Sequence, residues 1–341
     1  MSATLTAAES RGAGGTETSA KRSPRRGRPV NENGRARHRG SRTLWRRMRA
    51  VWQLYLLLAP TMVYLAIFKF WPLYGLQIAF RDYNPFDGFA GSPWVGLEHF
   101  ERFFTSPQFG EILSNTLTLA LTNLAVAFPV PIALALMLNQ MPDGRVRSVI
   151  RGVLYSPTFI STVVVVGMLY LLLSPRTGLV NNVIALFGGE RIVFMGSPEW
   201  FRPVFVGSTV WQESGFQMVV YLAALASIDP ALHDAAKVDG ANTWQRLRHV
   251  DLPGIAPTVA VMFVLAVGNL MNVSYEKAFL MQTALNIESS QIIQTYVYQV
   301  GLQQAQFSYS TAIGLFNSLL NLVLLLTFTR IVSRMQRGGQ P

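Results

Sequence analysis

The side chains able to do chemistry are few, and most lie inside long apolar runs. Glu213, in Trp211-Gln212-Glu213-Ser214-Gly215, is the only carboxylate within such a run. Amides recur in the others: Asn115, Asn123, Gln217, Asn269, Asn272, Asn317 and Asn321, with Tyr275 close to Asn272. Such groups are costly in apolar surroundings unless they face protein or water. Each therefore bonds between helices or lines a path for a polar solute. Asn317 and Asn321 are one helical turn apart and share a face. No catalytic set accompanies them. His38, His99, His233 and His249 form no H-E-x-x-H pair, no Ser/His/Asp set falls at one depth, and no G-x-x-x-x-G-K-[ST] loop occurs. Cysteine is absent, which excludes disulfides, thiolate metal sites and Cys nucleophiles. The chain is expected to be no enzyme, to hold no metal and to hydrolyse no ATP.

The runs that position these groups are long enough to be membrane spans, since about 20 apolar residues cross ~30 Å of hydrocarbon. They fall at 51–68, 112–138, 152–175, 203–228, 252–275 and 310–330. They are too long and too uniformly apolar for barrel strands. The expectation is an all-α integral membrane protein with six transmembrane helices. Lys and Arg concentrate in the segments that would lie inside if the N-terminus is cytoplasmic, including Arg145, Arg147, Arg151, Lys237, Arg246, Arg248, Arg330, Arg334 and Arg337. Arg81, Arg102, Arg176, Arg191 and Arg202 would lie outside. Both termini are thus expected inside. Glu276 and Lys277, beside an outer span end, are expected at the interface and not in the path. Pro60, Pro129, Pro131 and Pro157 fall within spans, as ordinary kinks or as breaks where a solute passes.

Of 341 residues only 14% are charged, against roughly 25% in a soluble protein, yet the net charge is +11. Residues 1–50 carry 13 of the 29 basic groups and 3 of the 18 acidic ones, so the remaining body is nearly neutral. This excludes a globule whose whole surface binds nucleic acid, and a near-neutral bundle suits an uncharged solute. The Gly/Ser/Arg-rich stretch 1–50 reads as a disordered cytoplasmic tail beside anionic lipid headgroups. It is not a signal peptide, because the first apolar run begins only near Val51. The division expected is tail 1–50, membrane domain 51–335 and a short cytoplasmic tail 336–341.

Between the fourth and fifth runs lies SIDPALHDAAKVDGANTWQRLRHVDLPGIAP, residues 227–257. Asp229 can N-cap a helix with Pro230 at its first position. Gly240 can end it in left-handed backbone, and Asn242 with Gln245 can cap a second short helix. Pro253 closes the unit. Ala235 and Ala236 leave room for another backbone, and Val238, Trp244, Leu247 and Val250 can form an apolar edge.

This segment resembles the EAA loop of ABC-importer permeases, patterned Glu-Ala-Ala, three residues, Gly, nine residues, Ile-x-Leu-Pro. Here Asp234-Ala235-Ala236 is followed at that spacing by Gly240 and by Val250-Asp251-Leu252-Pro253. Asp replaces Glu and Val replaces Ile. A second stretch is similar to carbohydrate-uptake permeases, above all to the LplB-type polysaccharide and oligosaccharide branch. It comprises Trp71 to Pro85, Gly91 to Leu97, and His99-Phe100 with Phe103-Phe104. Tyr221-Leu222-Ala223-Ala224-Leu225 also resembles that branch. The likeness spans roughly residues 50–335.

The resemblance implies a type I, maltose-permease-like bundle with a cytoplasmic coupling helix in loop 229–253. The coupling residues would be Asp234, Ala235, Ala236, Asp239, Gly240, Ala241, Trp244, Leu247, Val250, Leu252 and Pro253. They would seat in a groove of a cytoplasmic ATPase dimer, which binds the ATP and Mg. Asp234 would bond or ion-pair there. A second homologous permease, forming a heterodimer, and an extracytoplasmic sugar-binding lipoprotein are implied as partners, with membrane lipid around them. No nucleic acid is expected. The polar groups named above would line the sugar path, with a structural or gating role favoured for Glu213. Two alternatives stay open. An importer of amino acids or polyamines would share the EAA loop but not the 71–97 stretch. An ATP-independent secondary transporter would need no such loop.

Overall fold

A computed structural model of the chain describes residues 51–272 and 275–338. The expected tail 1–50 and the last three residues lie outside the described residues. Two compact units are distinguished, 1–66 and 67–341. Among the described residues there are helices and loops but no strand; a lone antiparallel bridge joins Arg81 to Trp94.

Four helical segments are long and apolar enough to cross a membrane: α1 (Trp52–Phe80), α2 (Phe109–Gln140), α7 (Thr243–Gly268) and α9 (Phe307–Gly338, spanning stretch Phe307–Arg334). Two further runs are each a bent pair. α3 (Arg145–Phe159) meets α4 (Thr162–Leu172) at 101°, and α5 (Pro198–Ala226) meets α6 (Pro230–Val238) at 70°. A short α8 (Tyr275–Met281) lies between α7 and α9, and other short helices occur in the connections. Candidate spans thus number four, or six if each bent pair crosses once.

Three of the expected runs differ in form. Run 152–175 is not one kinked helix. Its chain turns sharply at Ser156–Phe159, where Pro157 is buried and Ser161 starts α4 by accepting from Val164 N. The break is held from α5. Gln212 Nε2 donates to Ile160 O at 2.9 Å, and Thr158 Oγ1 donates to Gln212 O at 3.0 Å. These bonds satisfy backbone groups that an apolar surrounding cannot. Run 252–275 is also broken. α7 stops at Gly268, and Asn321 on α9 accepts from Met271 N at 3.3 Å while donating to Gly268 O at 2.8 Å. The last run, expected over 310–330, is a longer helix, Phe307–Gly338.

Lys277, placed at the interface by its sequence position, is instead buried to 1% exposure. Because the chain turns after α7, α8 packs against α4 and α5 instead of extending a span. The Lys277 ammonium donates to Thr209 Oγ1 at 3.2 Å and lies 5.8 Å from the Phe205 ring centre. That ammonium sits beside Thr209, one helical turn before Glu213 on α5.

The second unit holds three clusters of buried apolar side chains. One groups Leu119, Phe201, Phe205, Leu270 and Met281. Another groups Leu136, Met218, Tyr221, Leu225 and Ile255. The third joins Phe103, Ile112, Ile293 and Tyr309. The stretch 80–104 is pinned to itself and to α9. Phe80 stacks on Trp94 at 5.7 Å, and Tyr83 N donates to Ser308 Oγ at 2.8 Å.

Gly215 permits the approach of α5 to the α3 end. A Cβ there would sit 2.0 Å from Leu154 O. Gly215→Ala should lower stability by at least about 2 kcal/mol through overpacking against backbone. Gly207→Ala, on the same helix with no heavy atom within 4 Å of its Cβ, should be neutral or slightly stabilising. Thermal unfolding of the two purified variants in detergent checks this; equal melting temperatures would contradict it.

Candidate functional site

Helical periodicity builds one cavity. On α5, Glu213, Gln217 and Tyr221 recur every four residues and so share a face. Ala120, Asn123, Leu124 and Ala127, three and four residues apart, share a face of α2, as do Met262, Leu265 and Ala266 near the end of α7, with Asn269 just beyond it. These faces, with Phe128, Phe216, Leu270 and Asn272, enclose a cavity of about 400 Å³. It opens between the cluster holding Leu270 and the cluster holding Tyr221.

Five of the residues singled out from the sequence therefore meet: Asn123, Glu213, Gln217, Asn269 and Asn272. Tyr221, Phe128 and Phe216 join them and were not singled out. Aromatics in apolar runs read as ordinary packing, and only their coincidence with the polar face marks them. Two buried polar atoms at this cavity, Asn123 Oδ1 and Tyr221 Oη, have no hydrogen-bond partner among the described residues. Such an atom costs about 1–3 kcal/mol unless something supplies a bond. The cavity thus offers aromatic faces, amides, a carboxylate and unsatisfied acceptors to a solute rich in hydroxyls.

The other four lie elsewhere. Asn115 is 4% exposed and fully engaged: Arg202 Nη2 donates to its Oδ1 at 2.8 Å, and its Nδ2 donates to Glu288 O at 2.7 Å. It borders a separate cavity of about 730 Å³ with Glu111, Glu199 and Glu288. Asn321 serves the backbone break after α7. Tyr275 and Asn317 line a third cavity, of about 590 Å³, which Asn272 shares with the first. Asn317 Oδ1 is buried without a partner, and Gln294 Nε2 donates to Asn272 Oδ1 at 2.8 Å.

At the far end of α5 the loop 229–253 takes the local form its residues dictate. Asp229 Oδ1 accepts from Ala231 N at 2.9 Å to start α6. α6 ends in a Schellman arrangement: Ala241 N donates to Ala236 O and Gly240 N to Lys237 O, with Gly240 at φ +75°. Asn242 and Gln245 exchange bonds of 2.8 and 2.9 Å in a capping box. The second helix differs from expectation, because Pro253 does not close it. A π-helical turn over Leu247–Asp251 carries the chain directly into Leu252 and onward, so Thr243–Gly268 is continuous. The wider turn accommodates the proline, which lacks an N–H to give.

The surface this makes is uneven. Val238 and Trp244 are 87% and 67% exposed. Asp234, Ala235, Asp239, Gly240, Leu252 and Pro253 are also exposed, while Ala236, Ala241 and Val250 are half-buried. Leu247 points inward against the cluster of Tyr221, Leu225 and Ile255, so the apolar edge expected of four residues is split. Asp234 is engaged within α6. Lys237 Nζ donates to its Oδ1 at 2.9 Å, and that hydrogen bond, with the attraction of the ammonium, holds the carboxyl below its ordinary range. The pair is therefore present above the ordinary carboxylate pKa and is lost as pH falls through the lowered one.

The two kinds of asparagine should separate by mutation. Asn321→Leu abandons Gly268 O and Met271 N and should cost about 1–3 kcal/mol. Asn123→Leu removes an already unpaired acceptor and should leave the melting temperature unchanged or raised. Melting curves of the two variants check this; a larger loss for Asn123→Leu would contradict it.

A family model described as "Binding-protein-dependent transport system inner membrane component" matches residues 108–337. The chain is 42% identical over 286 residues to the polygalacturonan/rhamnogalacturonan transport system permease protein YteP of Bacillus subtilis (strain 168), covering 84% of this chain and 89% of that one. It is 40% identical to the protein LplB of the same organism, over 84% and 90% of the two chains. A crystal structure of a bacterial ABC transporter involved in the import of the acidic polysaccharide alginate matches with a TM-score of 0.80 at 40% identity, covering 88% of this chain and all of that one. The chain belongs to the family of binding-protein-dependent transport system inner membrane components, the permease subunits of ABC importers.

Proposed function

We propose that this chain forms one half of the membrane pore of an ATP-driven importer for oligosaccharides or polysaccharide fragments. One observation carries the reading. The cavity that gathers Asn123, Glu213, Gln217, Tyr221 and Asn269 is walled by α5 and α7, the two helices that α6 and its Gly240 turn connect. A force applied at α6 thus acts on both walls of the solute cavity.

In this proposal the chain crosses the membrane six times with both termini inside, each bent run counting once. α6 is the coupling helix, presenting Val238, Trp244 and Asp234 to a groove in a cytoplasmic ATPase dimer. Nucleotide binds the two states of that dimer unequally, and the difference biases the bundle between inward- and outward-facing forms. A second permease chain completes the pore, and a sugar-binding lipoprotein delivers the solute, as the family's description suggests for the delivery step. Inside the cavity, Phe128 and Phe216 offer faces to the C–H surface of a sugar ring. Asn123, Gln217 and Tyr221 bond its hydroxyls. Glu213 shapes or gates this path.

The relatives' names also bear on the solute. Galacturonan and alginate carry carboxylates, so the near-neutral charge of the body does not select an uncharged sugar. Fragments of these polymers, both acidic and neutral, are the first solutes to try.

The test is uptake by proteoliposomes holding this chain, its partner permease and ATPase, with the cognate binding protein outside. ATP-dependent uptake of an oligosaccharide is expected, and uptake of a non-sugar alone would sink the proposal. Gly240→Val forces a β-branched residue into left-handed backbone. It should cut uptake at least about tenfold, since a displaced reacting or coupling element typically costs one to two decades. Membrane insertion should persist, and normal uptake with normal ATPase association would count against α6 as the coupling helix.

A further inference from the structure

Asp251 is fully buried, with 0% exposure, at the last position of the π-helical turn within α7. A buried carboxylate is retained only where partners hold it. One oxygen is held: Gln140 Nε2, at the end of α2, donates to Asp251 Oδ2 at 2.9 Å. The other faces α6. His233 Nε2 lies 3.5 Å from Asp251 Oδ1, within ion-pair range but outside hydrogen-bond geometry, and Oδ1 has no hydrogen-bond partner among the described residues. The three side chains come from α2, α6 and the start of α7, and they border one polar cavity with Arg147 and Arg246.

We propose that Asp251 and His233 form a latch that ties the coupling helix to the two helices carrying Asn123 and Asn269. The inference rests on the coupling role proposed for α6. Asp251 lies in the loop-side half of α7 and Gln140 at the end of α2, and the cavity faces of those helices lie further along them. A helix transmits displacement along its axis because every backbone bond in it is made internally. Movement of α6 by a fraction of an ångström towards Asp251 completes the open hydrogen bond, and movement away leaves a buried oxygen unpaired. The contact is therefore worth different amounts in two positions of α6. Differential contact of this kind is what biases a two-state equilibrium. Both are positioning residues: neither borders the solute cavity, and His233 is only a quarter exposed.

The experiment compares His233→Ala, His233→Gln, Asp251→Asn and the double variant His233→Ala/Asp251→Asn in the reconstituted complex. Two readouts are normalised to assembled complex: uptake, and the ratio of ATPase rate with and without sugar-loaded binding protein. His233→Ala should lower both at least tenfold while α6 still holds the ATPase in pull-down. His233→Gln, which keeps a donor, should restore at least a third of the wild-type ratio. The double variant should be no worse than the worse single, because both remove one link. Wild-type uptake and stimulation in His233→Ala would overturn the latch. So would losses in Asp251→Asn that merely track the yield of folded complex, or losses in the double variant that multiply. If the wild-type complex shows no stimulation by loaded binding protein, the coupling role of α6 fails first, which is a distinct result.

Discussion

An apolar surrounding offers no partner to a backbone amide, so every N–H and C=O in such a body must be bonded from within the chain. Helices meet this demand without help, and the described residues are helical almost wherever the chain is apolar. The demand becomes informative at the breaks. Gln212 bonds Ile160 O where α3 turns into α4. Asn321 serves both sides of the end of α7. Asn181 bonds Leu173 O, Ser174 O and both backbone groups of Ile192 with one side chain. At each of these three breaks a side-chain amide meets the main chain.

The same accounting sorts the polar residues of the cavity. An amide in an apolar helix either supports backbone or faces open space, and the two look alike in sequence. Asn115 and Asn321 are committed to backbone or to Arg202. Asn123 and Tyr221 carry atoms that nothing among the described residues satisfies, and both border one cavity. An unsatisfied group has a reason to persist where a ligand completes it. The polar lining and the broken helices are thus two consequences of one constraint, one resolved within the protein and one left open at the cavity.

The loop between α5 and α7 shows how local rules and packing divide the work. The Asp229 cap, the Gly240 turn and the Asn242–Gln245 box are local, and they form as their residues dictate. The π-helical turn at Leu247–Asp251 is not local. It arises because Leu247 packs inward, Asp251 is drawn to Gln140, and Pro253 must fit without an N–H. That turn joins the expected second helix to α7, making one continuous helical segment from the exposed loop to the cavity.

Hydrophobic run length and the spacing from Asp234 to Pro253 made the helical class and the permease family legible in the residues alone. These are one-dimensional signals, set by helix rise, by the energy of burying charge and by short-range turn chemistry. The sequence also named five of the polar residues that meet at the cavity. Partition among the asparagines, the 101° break at Ser156–Phe159, the burial of Lys277 and the place of Asp251 were decided only in three dimensions. Each depends on which element lies across from the residue, and helical periodicity records the face of a side chain but not what that face meets.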